Sequence, residues 1–222
     1  MRLLLVAATR AELPKPLQPP GTEVPCNFRL FIHGVALHVC VTGVGMVSTA
    51  IAATRALQAF PMQAALQVGI AGSYDPQLPT GALVQVRQET LGELGATSPE
   101  GFLTLEKLQL PSMIQDEKVY YQQFDNPHAP LPELTSASGL TVNTVSGTAD
   151  QIARRTALWQ PQVETMEGAA FFQACLLAGV PFHQVRAVSN PVNPRNKSEW
   201  DIPAALGALH RWLGNYLQNP VY

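Results

Sequence analysis

"VETMEGAAFFQACLLAGVPFHQVRAVSN", Val163–Asn190, is the stretch on which the reading of this 222-residue chain turns. From Val163 the chain passes through "ETMEG" into an apolar, alanine-rich run. Ala170 and Ala174, with Phe171, Cys175 and Ala178, recur at helical intervals. They form a stripe of small residues that lets a helix over Met166–Gly179 lie close on a sheet, and Gly179 stops it. "PFHQVRAV" then reads as a strand, Phe182–Val188, with a single arginine, Arg186, inside the apolar run. The strand ends on Ser189 and Asn190, and two prolines follow nearby. Taken alone, that end is equally well read as a plain Asn-Pro turn. A helix leading straight into a buried strand is the signature of α/β architecture.

Working outward, the same alternation continues. "LLLVAA" (Leu3–Ala8) is a continuous apolar run, the pattern of a strand covered on both faces. Phe28–Ile32 and Val35–Thr42 flank His33-Gly34 as a hairpin. Gly43–Phe60 is a glycine turn followed by an Ala-rich helix, Ala65–Gly72 another buried strand, and Ala82–Thr90 an alternating, half-buried one. Residues 91–137 are rich in Pro, Gln, Glu and Ser and poor in periodicity. They are expected to be a long, variable loop region with little regular structure, a candidate cover for a site. Leu140–Gly147 is a strand; "TADQIARRTAL" starts a helix capped by Thr148 or Asp150; "DIPAALGALHRWLGNYL" is an amphipathic C-terminal helix. Hairpins among the strand–helix units make the expected class α/β with a mixed sheet, in one domain spanning 1–222.

Composition narrows the function. The chain is 46% hydrophobic and 14% charged with a net charge of −2, and its basic residues do not cluster. Nucleic acid and anionic membrane are therefore not the expected partners. Cys26, Cys40 and Cys175 have neither metal nor CxxC spacing, so no metal is expected and the compartment is read as reducing. The N-terminal apolar run is too short for a signal peptide and none reaches membrane-spanning length, which gives a cytoplasmic expectation.

In open α/β sheets, ligands bind beyond the carboxyl ends of the strands. Thr9, Arg10 and Glu12 follow the first strand, Gly43–Gly45 the third, "IAGS" the fourth, "ETMEG" Val163, and Ser189-Asn190 the last. Two carboxylates, an arginine, small-residue turns and one carboxamide thus converge. There is no Cys-His pair, no His-rich metal set and no GxSxG elbow. Singly, each has a plainer reading: Gly43–Gly45 as a strand–helix turn, Glu12 as a solvated loop residue, Glu167 as a charge favouring a helix N-terminus, Arg186 as an ion-pair partner.

The ordered set, with "VTGVGMVSTAIA", "QVGIAGSYDPQLPTGALV", "VSGTADQ" and the "MEG…RAVSN" block, resembles the nucleoside phosphorylase and nucleoside hydrolase superfamily that includes methylthioadenosine/S-adenosylhomocysteine nucleosidases. "MEGAAFFQACLLAGVPF" followed by "SNPVNPRN" is most similar to its futalosine hydrolases, of the alternative menaquinone pathway. The resemblance implies a three-layer αβα sandwich around a mixed, partly barrel-like β-sheet. It implies hydrolysis of an N-glycosidic bond with release of hypoxanthine, no cofactor, a small nucleoside as substrate, and a homodimer or larger homo-oligomer. The other reading is a purine nucleosidase or phosphorylase of the same fold. The resemblance puts Glu12 at the attacking water, Met166 and Glu167 at the ribose, Arg186 behind Glu167, and Ala71, Gly72, Ser189 and Asn190 at the base. Arg195, in the loop beyond Asn190, is the candidate partner for a 5′ carboxylate.

Three departures from the superfamily's pattern carry information. Adenine-releasing relatives have aspartate where this chain has Asn190. An amide oxygen can accept from N7–H while its NH₂ donates to O6, which fits a 6-oxopurine. The phosphate-holding arginine and serine of the hexameric phosphorylases are replaced by Gln67 and Ile70, a setting suited to water. And the Pro-rich "LPKPLQPP" follows Glu12 where relatives have a helix.

Overall fold

The computed structural model describes residues 1–221. Its first strand, β1 (Arg2–Ala7), is buried along almost its whole length, as its unbroken apolar run requires. β2 (Cys26–Ile32) and β3 (Val35–Val41) form the expected hairpin, turning on left-handed His33 and Gly34. β2 alternates half-buried and exposed residues, as an edge strand does. Gly43 and Gly45 both take positive φ, 87° and 97°, in the turn that leads into α1 (Met46–Ala59).

β4 (Ala64–Ser73) organises the rest. Its first half pairs in parallel with β1, Leu3–Val6 against Ala64–Gln67. Its end pairs on the opposite sense with β12 (Val163–Thr165), through Ser73 with Val163 and Gly72 with Glu164. Along it runs β13 (Phe182–Pro191), parallel. β13 also pairs with β5 (Leu83–Leu91), β5 with β11 (Thr135–Thr141), and β11 with β12. The five strands β4, β13, β5, β11 and β12 therefore close a ring, and β1, β3 and β2 extend from it as an open sheet.

Helices cover both faces. α1 and α4 (Gly168–Ala178) pack together on one, where Ala52, Ala53 and Ala56 share a core with Phe171, Phe172, Ala174 and Cys175. On the other, α5 (Ile202–Tyr216) buries Leu209 and Leu213 among Leu5, Val39, Leu66 and Val185. This is the three-layer, partly barrel-like α/β architecture expected from the sequence. α3 (Ala149–Trp159) is capped by Thr148, whose hydroxyl accepts from Gln151 N, which decides between the two candidate caps.

Residues 91–137 depart from the expectation of an irregular loop. β6 (Gly95–Ser98) and β7 (Gly101–Thr104) form one hairpin, α2 (Leu105–Leu108) follows, and β8 (Met113–Gln115) and β9 (Lys118–Tyr120) form another. β10 (Gln123–Asp125) then adds to β5. The second hairpin turns on Asp116 and Glu117, both left-handed with φ of 48° and 64°. That turn ordinarily announces itself by glycine or asparagine, and here it has neither. Nor does the region cover the cavity described next. Among the described residues, no helix is long and apolar enough to cross a membrane.

Candidate functional site

A cavity of about 360 Å³ opens where the carboxyl ends of β1, β4, β12 and β13 meet. Glu12, Ala71, Gly72, Met166, Glu167, Ser189 and Asn190 all line it, so most of the sequence-derived candidates come together. Val44, Val145, Trp200, Ile202 and Leu206 supply apolar walls.

Glu12 sits in a single helical turn after β1 and is 6% exposed. One carboxylate oxygen accepts from Thr9 N at 2.8 Å and Thr9 Oγ1 at 3.2 Å, and the other from Ile70 N at 3.2 Å. Burial raises its pKa above 4.5; the Arg186 charge and the Thr9 amide oppose the shift, and Glu167 adds to it. A held, buried carboxylate with a raised pKa has the character of a general base. The Pro-rich segment that follows it does not displace it from the cavity.

Glu167 precedes the first residue of α4 but does not cap that helix with its side chain. Its Oε1 accepts from Gly45 N at 3.0 Å, which gives the "GVG" turn a role beyond linking strand to helix. Its Oε2 faces Arg186 Nη1 at 3.7 Å. Arg186 is 1% exposed and lies beneath the cavity instead of lining it. Its Nε and Nη2 meet no acceptor among the described residues. It stands opposite Gly69 in the β4–β13 ladder, and a Cβ on Gly69 would collide with its guanidinium and lie 2.8 Å from Glu12 Oε1. Gly69 is thus a site residue that the sequence reading passed over. A glycine inside an apolar strand was the available signal.

The β4–β13 register slips between Val188 and Asn190: Val188 pairs with Ala71 and Asn190 with Gly72, leaving Ser189 unpaired in a bulge. This local break aims both side chains. Ser189 Oγ lies 3.2 Å from Ala71 O and donates to Asn190 Oδ1 at 2.8 Å. Asn190 Nδ2 donates to Pro191 O at 2.8 Å. Each polar atom of the amide retains capacity for one more bond. Gly72 leaves room for its neighbours at the end of β13, since a Cβ there would sit 2.9 Å from Val192 Cγ2 and 3.4 Å from Asn190 Nδ2.

Arg195 is not brought into the cavity. It is exposed, with its guanidinium 5.5 Å over the ring of Trp200, which does line it. A further lining group, Glu164, was not singled out from the sequence. It accepts from Tyr74 Oη at 2.7 Å and from Ser146 N and Oγ at 2.7 and 2.6 Å, and it pairs with Arg155 Nη1 at 3.2 Å. Arg155 also pairs with Glu93 and donates to Thr144 O, so it fixes the segment carrying Val145 over the cavity. Among the described residues, no cluster of three or more His, Cys, Asp or Glu side chains is arranged to hold a metal ion.

The family model of the phosphorylase superfamily matches residues 2–215. The chain belongs to the phosphorylase superfamily. Among relatives in that superfamily, the futalosine hydrolase of Thermus thermophilus is 35% identical over 186 residues, covering 81% of this chain and 80% of that one. The futalosine hydrolase of Streptomyces coelicolor is 34% identical over 241 aligned positions, covering 96% and 94%. A solved structure of a futalosine hydrolase mutant from Helicobacter pylori superimposes with a TM-score of 0.76 at 16% identity, covering 97% of this chain and 98% of that chain, which shows a shared fold.

Proposed function

We propose that this chain, acting as one domain over residues 1–222, hydrolyses the N-glycosidic bond of futalosine and releases hypoxanthine and dehypoxanthine futalosine. The observation that carries the reading is the convergence of Glu12, Glu167 and Asn190 in one cavity, in a chain about 35% identical to futalosine hydrolases over most of its length.

Each group has a task set by its surroundings. Glu12, held by backbone amides at the floor, takes a proton from water as the water oxygen bonds to C1′. The C1′–N9 bond breaks and its electron pair leaves with the base, which takes a proton from solvent and departs as hypoxanthine. Glu167 accepts from the 2′- and 3′-hydroxyls, with Met166 alongside, and Arg186 behind Glu167 keeps it oriented. Asn190, aimed by the bulge and steadied by Ser189, offers its oxygen to N7–H and its NH₂ to O6. Ala71 and Gly72 are the flat backbone wall beside the base. Arg195, one aromatic ring away from the cavity, serves the carboxylate of the 5′ group.

Water is favoured over phosphate on electrostatic grounds. Three carboxylates and no lysine or arginine line the cavity, and the Ile70 amide is already donated to Glu12. Val44, Val47 and Ile51 expose apolar side chains from the cavity mouth along α1, which supports association into a homodimer or larger homo-oligomer. Light scattering of the purified chain checks that association.

The test of function is incubation with futalosine, inosine and methylthioadenosine, with and without phosphate, followed by chromatography for free base. Hypoxanthine from futalosine without phosphate is the expected result. Strict phosphate dependence, or faster adenine release, would favour the phosphorylase or methylthioadenosine-type reading.

A further inference from the structure

Glu89, on β5, is fully buried and lies behind the cavity, not in it. Its carboxylate accepts from Thr141 Oγ1 at 2.8 Å, Gln184 Nε2 at 2.8 Å and Thr165 Oγ1 at 3.4 Å. Because an ionised carboxylate only accepts, it fixes the direction of both threonine hydroxyls: their protons point to Glu89. Their lone pairs are left for donors on the other side, and those donors are the first amides of α4. Gly168 N donates to Thr165 Oγ1 at 3.3 Å and Ala169 N to Thr141 Oγ1 at 2.8 Å.

A helix start leaves its first amides without intrahelical partners, and the residue before the helix ordinarily satisfies them with its own side chain. Here that residue is Glu167, whose carboxylate is turned instead to Gly45 N and Arg186. We propose that Glu89 is a positioning residue of the nucleoside site: through the hydroxyls of Thr141 and Thr165 it caps α4 in place of Glu167, and so leaves the Glu167 carboxylate free to face the sugar. This rests on the sugar-anchoring role proposed for Glu167.

The arrangement also explains Gly168. A Cβ at that position would overlap the Glu89 carboxylate and come within 2.7 Å of Gln184 Nε2. Gly139, paired with Glu89 across the β5–β11 ladder, is equally crowded, with Glu89 Oε1 2.6 Å from where its Cβ would be. Two glycines from different elements make the space for one carboxylate.

The test combines thermal melting of the full chain with futalosine hydrolysis. Glu89→Gln keeps the volume but has one acceptor oxygen, so it cannot orient both hydroxyls. The folded variant is expected to lose about tenfold or more in kcat/KM, through a higher KM and a lower kcat, because the anchor is displaced. Thr141→Val, which leaves the carboxylate in place, is expected to give the same signature. Combined with Glu167→Gln, neither adds a further loss, since all three act through one carboxylate. Gly168→Ala is expected to melt well below the wild type, and to recover most of that loss in a Glu89→Ala background. Wild-type kcat and KM in both Glu89→Gln and Thr141→Val, or losses that add fully to that of Glu167→Gln, overturn the proposal. If Glu167→Gln lowers kcat/KM and Glu89→Gln does not, only the positioning role fails. If Glu167→Gln has no effect, the sugar anchor itself fails, whatever the melting coupling between residues 89 and 168.

Discussion

Two buried arginines flank the cavity, and they are held in opposite ways. Arg155 is held at both ends of its fork: Glu93, Glu164, Ser146 Oγ and Thr144 O take its terminal nitrogens. Arg186 has one ion pair, a loose one at 3.7 Å, and two nitrogens without an acceptor among the described residues. A buried charge with both terminal nitrogens satisfied fixes geometry. One with donors left over contributes mainly its field, which reaches Glu12, Glu167 and Glu89. Arg155 therefore builds the wall of the site, and Arg186 sets the electrostatics of its floor.

The comparison breaks most visibly at Arg155. Arg155→Met strands Glu164 and Glu93 and is expected to cost about 3–5 kcal/mol of stability by denaturant unfolding, with a much smaller change in kcat for the protein that stays folded. A loss of activity without a loss of stability would reverse the roles assigned to the two arginines.

On the floor, Glu12→Gln is expected to lower kcat by at least about 10² with little change in folding. Arg186→Met sharpens the contrast through pH. Arg186 opposes the upward shift of the Glu12 pKa, so its removal lets that pKa rise further. A base must be deprotonated to act, so the acidic limb of the kcat profile should move to higher pH. The same profile in Arg155→Met should keep its position.

Glu89 gives a stability test of the same field. Burial raises its pKa from 4.5 to about 6, against hydrogen bonds from Thr141 and Gln184 and the charge of Arg186. Between those values the folded chain holds a proton that the unfolded chain has released. The stabilisation from this proton is complete below about 4.5 and is lost as pH rises through about 6. Wild type should therefore lose roughly 1–2 kcal/mol relative to Glu89→Gln between pH 4.5 and 6.5, as read from paired melts; Glu12 shifts in the same direction and cancels in the difference. Parallel pH curves for the two proteins would place the Glu89 pKa near its ordinary value.

The smallest expected effect is one of selectivity. Asn190→Asp should shift kcat/KM toward an adenine-bearing substrate and away from its hypoxanthine counterpart by about tenfold, the cost of one unpaired buried polar group. An unchanged ratio would remove Asn190 from base recognition.

What could be read in the sequence was local. The apolar run Leu3–Ala8, the hairpin of Phe28–Ile32 about His33-Gly34 and the stop at Gly179 each follow from nearest neighbours, and the structure has β1, β2 and the end of α4 there. Glu12, Glu167 and Asn190 were legible because position after a strand is itself a local property. Glu89, Arg155 and Gly69 were not, because their meaning depends on partners brought from far along the chain: Thr141 and Gln184 for Glu89, Glu93 for Arg155, Arg186 for Gly69. The hairpins within residues 91–137 escaped for another reason. Their strands are three or four residues long, too short for a period to emerge, and one turns without glycine.

The overlap between the Glu89 carboxylate and the place of a Gly168 methyl imposes an order on descent. A lineage carrying glutamate at 89 cannot accept alanine at 168 as a first step, because the methyl and the carboxylate claim the same volume. Shortening residue 89 must come first, and the intermediate with a small residue at 89 and glycine still at 168 carries a void behind Glu167. The two positions, far apart in the chain, can be exchanged in one direction through a weakened enzyme and in the other only after Gly168 has been restored.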